Sequence, residues 1–225
     1  MSTIASKSVD MILCDLPYGV TKNKWDTIIP FDPLFNEYNR VIKDNGAIII
    51  FAQQPFTTDL INANRKFFRY PMVWIKGRAA NFFNAKRMPL RTHEDVLVFY
   101  KKLPTYNPQM TEGKPYFRRP SAPHFVSHLG KTMTTGRDNP TGERYPTTIL
   151  EFKKEQGLHP TQKPVPLCEW LVKTYTNEGD LVLDNCMGCG TTGVACKKLD
   201  RRFVGWEMDE KYYKVASERI EKTKK

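Results

Sequence analysis

Hydrophobic residues in the first half of the chain form short, nearly continuous runs rather than alternating patterns. Such runs are typical of strands in a parallel sheet that is covered on both faces. Between the first two runs, apolar residues recur at helical spacing in FDPLFNEYNRVI, and Pro55 follows the second run at a position suited to the start of a helix. The pattern predicts an α/β sheet. The runs cover residues 9–14, 47–52, 72–76 and 96–100.

This pattern disappears between residues 103 and 158, where Pro, Gly, Thr and charged residues dominate. It returns with a helical apolar face from Leu167 to Tyr175. The sequence therefore predicts one core formed by residues 1–102 and 159–225, with residues 103–158 inserted into it. The elements expected at the end of the chain are a strand over 181–183, a helix over 191–199, a strand over 203–206 and a helix over 210–221.

Charge changes this picture by indicating a partner. The 225 residues contain 35 Lys and Arg against 24 Asp and Glu, a net charge of +11. Residues 76–158 hold 15 of these basic residues and 7 of the acidic ones, interleaved with aromatic residues. Such a composition favours a polyanionic partner, most simply a nucleic acid, over a surface that is charged only for solubility. A solvated loop is the alternative interpretation of the insert.

The apolar stretches exclude other classes of protein. No run approaches the length of a transmembrane helix and the amino terminus lacks the apolar core of a signal peptide, so we expect a cytoplasmic protein. The odd number of cysteines, 5, indicates reduced thiols. Cys186 and Cys189 resemble half of a zinc site, but no second pair accompanies them, and we predict no bound metal.

Three glycines near the end of the chain provide the first candidate for a ligand site. Gly188, Gly190 and Gly193 fit the pattern G-x-G-x-x-G, and Glu207 stands at the end of the next predicted strand. Glycines allow a tight turn close to a nucleoside-type ligand, and the carboxylate can accept protons from ribose hydroxyls. Dinucleotides and S-adenosylmethionine both satisfy this pattern. Too little chain follows Gly193 to complete a dinucleotide-binding half, so the missing strands must come from the amino-terminal half.

The order of four motifs resembles that of the β-class of amino-group DNA methyltransferases. These motifs are DLPY after the first strand, RTHEDVLVFYKK at a later strand, HPTQKP, and DNCMGCGTT in the glycine turn. The resemblance covers almost the whole chain outside residues 103–158. It implies a Rossmann-like methyltransferase domain with circularly permuted strand order, S-adenosylmethionine as cofactor, double-stranded DNA as partner, and a target-recognition role for the insert.

The resemblance also implies how DLPY acts. In the family, an acid and a neighbouring main-chain carbonyl accept the two amino protons of a flipped base, while an aromatic residue stacks on that base. The corresponding catalytic residues are Asp15, Leu16, Pro17 and Tyr18. Leu16 stands where the family usually has proline; it still supplies the carbonyl, and Pro17 biases it toward an extended conformation.

Further site residues follow from the same resemblance. The HPTQKP segment and the turn are expected to hold the cofactor, and arginines of the insert to contact DNA. The predicted cofactor-binding residues are His159, Thr161, Lys163, Asp184, Cys186, Gly188, Gly190, Thr191, Thr192, Glu207 and Met208. The predicted DNA-binding residues are Arg118, Arg119, Arg137 and Arg144.

Several alternatives stay open from the sequence. Asp15 resembles the first position of adenine-N6 enzymes more than that of cytosine-N4 enzymes, but cytosine-N4 and RNA methylation are alternatives. In the family, a short strand ending in an acid often precedes the DLPY strand, whereas only MSTIASKS precedes VDMIL. A catalytically weak DNA-binding protein that has lost this adenine-side acid is therefore the rival function. The sequence also leaves a homodimer open.

Overall fold

The computed structural model describes residues 1–21, 23, 26–119, 124–126, 130–132, 138–155, 157–158 and 161–224, and only the backbone of 124–126 and 130–132. Its described residues form two compact units. The larger unit combines residues 1–107 with 148–225, and the smaller comprises residues 108–147. These bounds differ from the predicted insert, 103–158, at both ends.

A seven-stranded sheet organises the larger unit. In spatial order its strands are β7-β3-β4-β2-β1-β8-β9. Their bounds are β1 Val9–Cys14, β2 Ile42–Ala52, β3 Phe68–Ala80, β4 Arg91–Phe99, β7 Ile149–Glu151, β8 Leu181–Asp184 and β9 Arg202–Gly205.

The first strand lies inside the sheet, because its apolar run is buried almost throughout. β1 pairs in parallel with β2 on one side and with β8 on the other, where Met11 lies opposite Val182. β8 pairs in parallel with β9. Carboxyl-terminal strands thus extend a sheet built from the amino-terminal half. The parallel directions bring the residues after β1, β8 and β9 to one edge of the sheet, where ligands bind in open α/β sheets.

One strand runs against the others. β4 is antiparallel to both β2 and β3, so the prediction of a wholly parallel sheet is wrong at this position. β3 and β4 are joined by a hairpin connection, which needs no crossover helix and reverses the chain. The buried half of β4, from Val96 to Phe99, is as apolar as a parallel strand because both its faces are covered.

Helices cover both faces of the sheet, and the predicted α/β fold class is confirmed. The helices are α1 Phe31–Val41, α2 Phe56–Ala63, α3 Val165–Tyr175, α4 Thr191–Lys198 and α5 Glu210–Lys222. Alternate residues of β1 face different cores: Met11 and Leu13 pack with α3 and α4, whereas Ile12 packs with α1 and α2. None of the helices in the described part of the chain is long and apolar enough to cross a bilayer.

The predicted insert contributes to both units. Residues 149–151 form β7, which pairs in parallel with β3, so its carboxyl end belongs to the main sheet. The small unit contains β5 (His124–Val126) and β6 (Gly130–Thr132), which pair antiparallel. Isolated bridges between Thr111 and Arg144 and between Tyr116 and Asn139 link its outer segments.

Candidate active site

A cavity of about 630 Å³ lies along the carboxyl edge of the main sheet. It is lined by residues from the ends of β1, β3, β8 and β9 and from the beginning of β4. Most of the predicted site residues meet here. The predicted residues on its walls are Asp15, Leu16, Pro17, Tyr18, Thr161, Lys163, Asp184, Cys186, Gly188, Thr191, Thr192, Glu207 and Met208.

Asp15 directly follows β1 and has a donor on each carboxylate oxygen. The Tyr18 hydroxyl donates to Oδ1 at 2.8 Å, and the Lys163 ammonium donates to Oδ2 at 2.5 Å. Burial raises the pKa of Asp15 above its ordinary value; Lys163 opposes this increase, and the negative charge of Glu94 adds to it. Burial next to Asp15 also raises the pKa of Tyr18, so its hydroxyl stays a proton donor.

Four charged side chains, those of Asp15, Lys163, Glu94 and Lys76, form a buried chain that begins in the DLPY motif. Lys163 Nζ lies 3.3 Å from Glu94 Oε2, and Glu94 Oε1 accepts from Lys76 at 3.1 Å. Although burial opposes it, the pair of lysines lowers the pKa of Glu94, and the two carboxylates raise the pKa of Lys163. Two positive and two negative groups balance, which offsets the cost of burying each one. Lys163, predicted as a cofactor residue, thus lies against Asp15, the predicted catalytic acid.

The glycine turn between β8 and α4 lines the same cavity, beside the end of β1. Gly188 has φ +51°, and a Cβ placed there meets no atom within 4 Å, so the turn faces open space. Gly190 precedes α4 with φ +76°, and a Cβ there would lie 2.9 Å from the Cβ of Ala216. Gly190 therefore allows α5 to pack against the turn and is not itself on the cavity wall.

Most polar side chains of the turn form hydrogen bonds with other groups of the protein. Asp184 accepts from the Thr192 hydroxyl at 2.8 Å and from the Cys186 amide at 3.0 Å. Burial outweighs these two bonds and raises the pKa of Asp184 to about 6. The Thr191 hydroxyl accepts from Arg219 at 3.1 Å. Thr191 and Thr192 therefore shape the turn as well as line the cavity.

Glu207 follows β9 and connects two loops. Its Oε2 accepts from the Gly188 amide at 2.8 Å and its Oε1 from the Asp209 amide at 2.9 Å. These bonds fix the carboxylate beside the turn. Met208 next to it is 98% exposed, so nothing in the described residues covers its side chain at the cavity rim.

The sequence did not identify two residues that organise this site. Asp26 is buried and accepts from the amides of Gly19, Val20 and Thr21, which fixes the chain just after the catalytic motif. Although burial opposes them, these bonds lower the pKa of Asp26. Asn185, whose Oδ1 accepts from the Tyr38 hydroxyl, also lines the cavity. Asn185 lies in the DNCMGC segment between two predicted site residues, Asp184 and Cys186.

Two predicted residues, His159 and Arg137, lie outside the described residues. Arg118 and Arg119 are exposed in the small unit. The third arginine described there, Arg144, donates to the carbonyls of Gly142 and Lys114 and lies 4.8 Å from the ring of Tyr116. Its guanidinium therefore holds the small unit together. No cluster of potential metal ligands occurs within the described part of the chain.

Comparison with known proteins agrees with this site. The chain matches a family described as DNA methylase over residues 9–218. It is 28% identical to Type II methyltransferase M2.DpnII of Streptococcus pneumoniae, over 98% of this chain and 85% of that protein. It is 25% identical to DNA adenine methyltransferase YhdJ of Escherichia coli (strain K12), over 98% and 79% of the two chains.

Solved structures give the same result. The crystal structure of the M1.HpyAVI–SAM complex superposes with a TM-score of 0.64 at 27% identity, covering 95% of this chain and 89% of that one. The cytosine-N4-specific PvuII DNA methyltransferase has a TM-score of 0.68 at 14% identity, with 97% and 81% covered, and shares the fold. The methyltransferase recognised in the sequence is confirmed: the chain belongs to the N6/N4 DNA methylase family.

Proposed function

We propose that the protein transfers a methyl group from S-adenosylmethionine to the exocyclic amino group of adenine at specific sites in double-stranded DNA, by base flipping. The observation that carries this proposal is the position of Asp15. Its carboxylate lies at the end of β1, in the same cavity as the glycine turn and Glu207. A hydrogen-bond acceptor for the amino group and a binding site for a methyl donor therefore lie in one cavity.

The residues of the cavity fit S-adenosylmethionine. The open space over Gly188 admits a ligand close to the backbone, and the fixed carboxylate of Glu207 is suited to two ribose hydroxyls. When bound, this cofactor supplies a methyl group activated by a sulfonium. Residues 161–163 and 184–192 would hold it, together with Glu207.

The amino group of a base is a weak nucleophile because its lone pair is delocalised into the ring. Asp15 and the carbonyl of Leu16 accept hydrogen bonds from its two N–H groups, which localises the lone pair on nitrogen and orients it. Tyr18 stacks on the flipped base. In the free protein the Tyr18 hydroxyl and the Lys163 ammonium each donate to one oxygen of Asp15, which leaves a second lone pair on each oxygen for the incoming amino group.

Methylation of a plasmid followed by chemical identification of the product tests the proposal. We expect N6-methyladenine at a limited set of sites. Exclusive N4-methylcytosine would contradict the choice of base but preserve the mechanism, since both bases present an exocyclic amino group. The adenine assignment draws on Asp15 and on the relative named as a DNA adenine methyltransferase. Methylation of RNA in preference to duplex DNA would contradict the assigned partner.

The small unit is proposed to recognise the target sequence. Replacing Arg118 or Arg119 by alanine should weaken DNA binding to all sequences equally where the side chain contacts phosphate. Each lost contact should flatten the log-log dependence of affinity on salt by about one unit. An arginine that reads guanine should instead cost roughly 1 to 3 kcal/mol on the cognate site alone. Affinity measured over a salt series on cognate and scrambled duplexes separates the two roles.

Arg65, an exposed residue just after α2 in the larger unit, provides a matched control. Arg65→Ala should change neither affinity nor slope. If Arg118→Ala and Arg119→Ala behave like this control, the small unit does not read DNA through these residues. Arg144→Ala is a separate case, because loss of its hydrogen bonds to backbone carbonyls should destabilise the small unit itself.

The charges around Asp15 predict opposite pH effects for two substitutions. Asp15 must be ionised to accept amino protons, so transfer should fail as the pH falls through its pKa. Lys163→Gln removes the positive charge that lowers the pKa of Asp15. This pKa should rise, and the acidic limb of the rate profile should move to higher pH. Glu94→Gln removes a negative charge that raises this pKa, and the limb should move to lower pH. Single-turnover rates at saturating DNA measure both profiles.

Glu94→Gln and Lys163→Gln each remove one charge, of opposite sign, from the same charge chain, so one is the control for the other. A purely structural effect would lower the rate at every pH without moving the limb. Shifts in the same direction for both variants would contradict the assignment of the limb to Asp15.

We also infer a cytoplasmic setting, where DNA and a sulfonium donor occur together and thiols stay reduced. All 5 cysteines are unpaired, which agrees with such a compartment. Self-association into a homodimer stays a prediction, which light scattering tests.

A further inference from the structure

The connection between β3 and β4 combines exposed apolar side chains with positive charge. Residues 81–90 contain two basic residues, Lys86 and Arg87, and no Asp or Glu. At its tip Phe83 is fully exposed, Phe82 is 67% exposed and Met88 is 50% exposed. A single exposed apolar residue needs no explanation, but three of them at the tip of a connection whose only charges are positive indicate a contact surface.

The tip has a defined shape that keeps these side chains outward. Phe82–Asn84 form a short 3₁₀ helix that follows Asn81, which has φ +70°. The amide of Asn84 donates to the Asn81 carbonyl at 2.9 Å, and the amide of Met88 donates to the Asn84 carbonyl at 3.0 Å. The side chain of Asn84 also donates to that of Asn81 at 3.0 Å. These local hydrogen bonds define the backbone of the tip, and the Phe83 side chain is exposed rather than packed against the protein.

The tip rises from the rim of the active-site cavity. Ala80, the last residue of β3, pairs with Arg91, the first residue of β4, and both line the cavity that contains Asp15. The tip residues, 81–90, therefore lie between two strands that end at the cavity. A duplex that delivers a base to Asp15 must pass close to this connection.

We propose that the β3–β4 tip contacts duplex DNA and that Phe83 inserts into the base stack at the position vacated by the target base. This inference rests on the proposed function and identifies a residue that stabilises the flipped state. Apolar side chains used as wedges between base steps include Phe and Met, and unstacking is the main cost of extruding a base. Lys86 and Arg87 at the same tip supply phosphate contacts.

The positive charge of the connection favours duplex DNA over other partners. A membrane or an apolar protein surface would also accept Phe82 and Phe83, but neither explains why the apolar tip adjoins the cavity. A polyanionic duplex accounts for the basic residues, the aromatic tip and its position together.

Two variants and two substrates test the wedge. Phe83→Ala should lower the single-turnover methylation rate on a fully paired target about tenfold, because nothing fills the gap in the stack. Phe83→Trp, which keeps a large aromatic ring, should retain the native rate. When the target adenine lies opposite an abasic site, extrusion costs less, and Phe83→Ala should recover the rate of the unchanged protein. S-adenosylmethionine affinity should be equal for all three proteins.

The outcomes separate the wedge from a structural role. If Phe83→Ala loses rate equally on paired and abasic substrates, or loses none on either, the wedge is overturned. Failure of the unchanged protein to methylate either substrate would instead overturn the proposed function. Permanganate oxidation of unpaired thymines then tests the wedge without methyl transfer. Enhanced oxidation with the unchanged protein and Phe83→Trp but not with Phe83→Ala supports it, and equal oxidation with all three refutes it.

Discussion

Replacing Asp15 by alanine is expected to abolish methyl transfer while S-adenosylmethionine affinity changes by no more than a few-fold. The carboxylate is the acceptor that localises the lone pair of the amino nitrogen, and the neighbouring carboxylate Glu94 is held by Lys76 and Lys163. Loss of this acceptor should raise the barrier by several kcal/mol, and each ~1.4 kcal/mol corresponds to a tenfold lower rate. Transfer of labelled methyl groups to mapped duplex DNA measures the effect.

Two controls make the Asp15 result interpretable. Asp32→Asn changes an exposed acid in the first turn of α1 and should leave transfer unchanged. Thermal unfolding of Asp15→Ala should show a folded protein, because Lys163 keeps Glu94 as its partner. A folded Asp15→Ala protein with near-native turnover would refute the proposed mechanism.

Glu207→Ala should weaken S-adenosylmethionine binding by about 1 to 3 kcal/mol, the cost of losing a charged hydrogen-bonding partner. Two effects combine in this substitution: the ribose loses its acceptor, and the Gly188 amide loses the oxygen that it donates to. Glu207→Gln separates them, because the amide oxygen can still accept from Gly188 while the charge is lost. Calorimetric titration should therefore place Glu207→Gln between the unchanged protein and Glu207→Ala.

Glu210→Gln is the matched control, since Glu210 begins α5 only a few residues later and pairs with Lys214 at the surface. Its cofactor affinity should be unchanged. If Glu207→Ala also binds normally, Glu207 serves only the turn. Binding of a nicotinamide dinucleotide in place of S-adenosylmethionine would restore the alternative that the glycine pattern left open.

The sequence predicted the elements of the sheet well because burial on both faces leaves a local signal. The run VDMILC coincides with β1, and the helix and strand pattern after residue 181 matches β8 to α5 closely. The direction of a strand leaves no such signal. β4 is as apolar as its neighbours, and only its hairpin connection to β3 makes it antiparallel. β7 was missed because three residues are too few to establish a period.

The residues of the candidate site were predicted from motifs, but the hydrogen bonds and ion pairs among them were not. DLPY and the glycine turn each carry a local pattern, so their meeting in one cavity could be expected. The pairing of Lys163 with Asp15 joins residues 148 positions apart, and no local pattern encodes such a contact. The same holds for Asp26, whose role depends on where three amides point after the chain has turned.

The central position of β1 has a consequence for how the protein is made. Its neighbour β8 lies 171 residues further along the chain. At about 5 to 20 residues per second, the ribosome needs roughly 10 to 35 s to deliver β8 after β1. During this interval one edge of β1 has no native partner, and pairing across so long a separation is intrinsically slow. Asp15 can therefore meet Lys163 only after a further 148 residues have been synthesised.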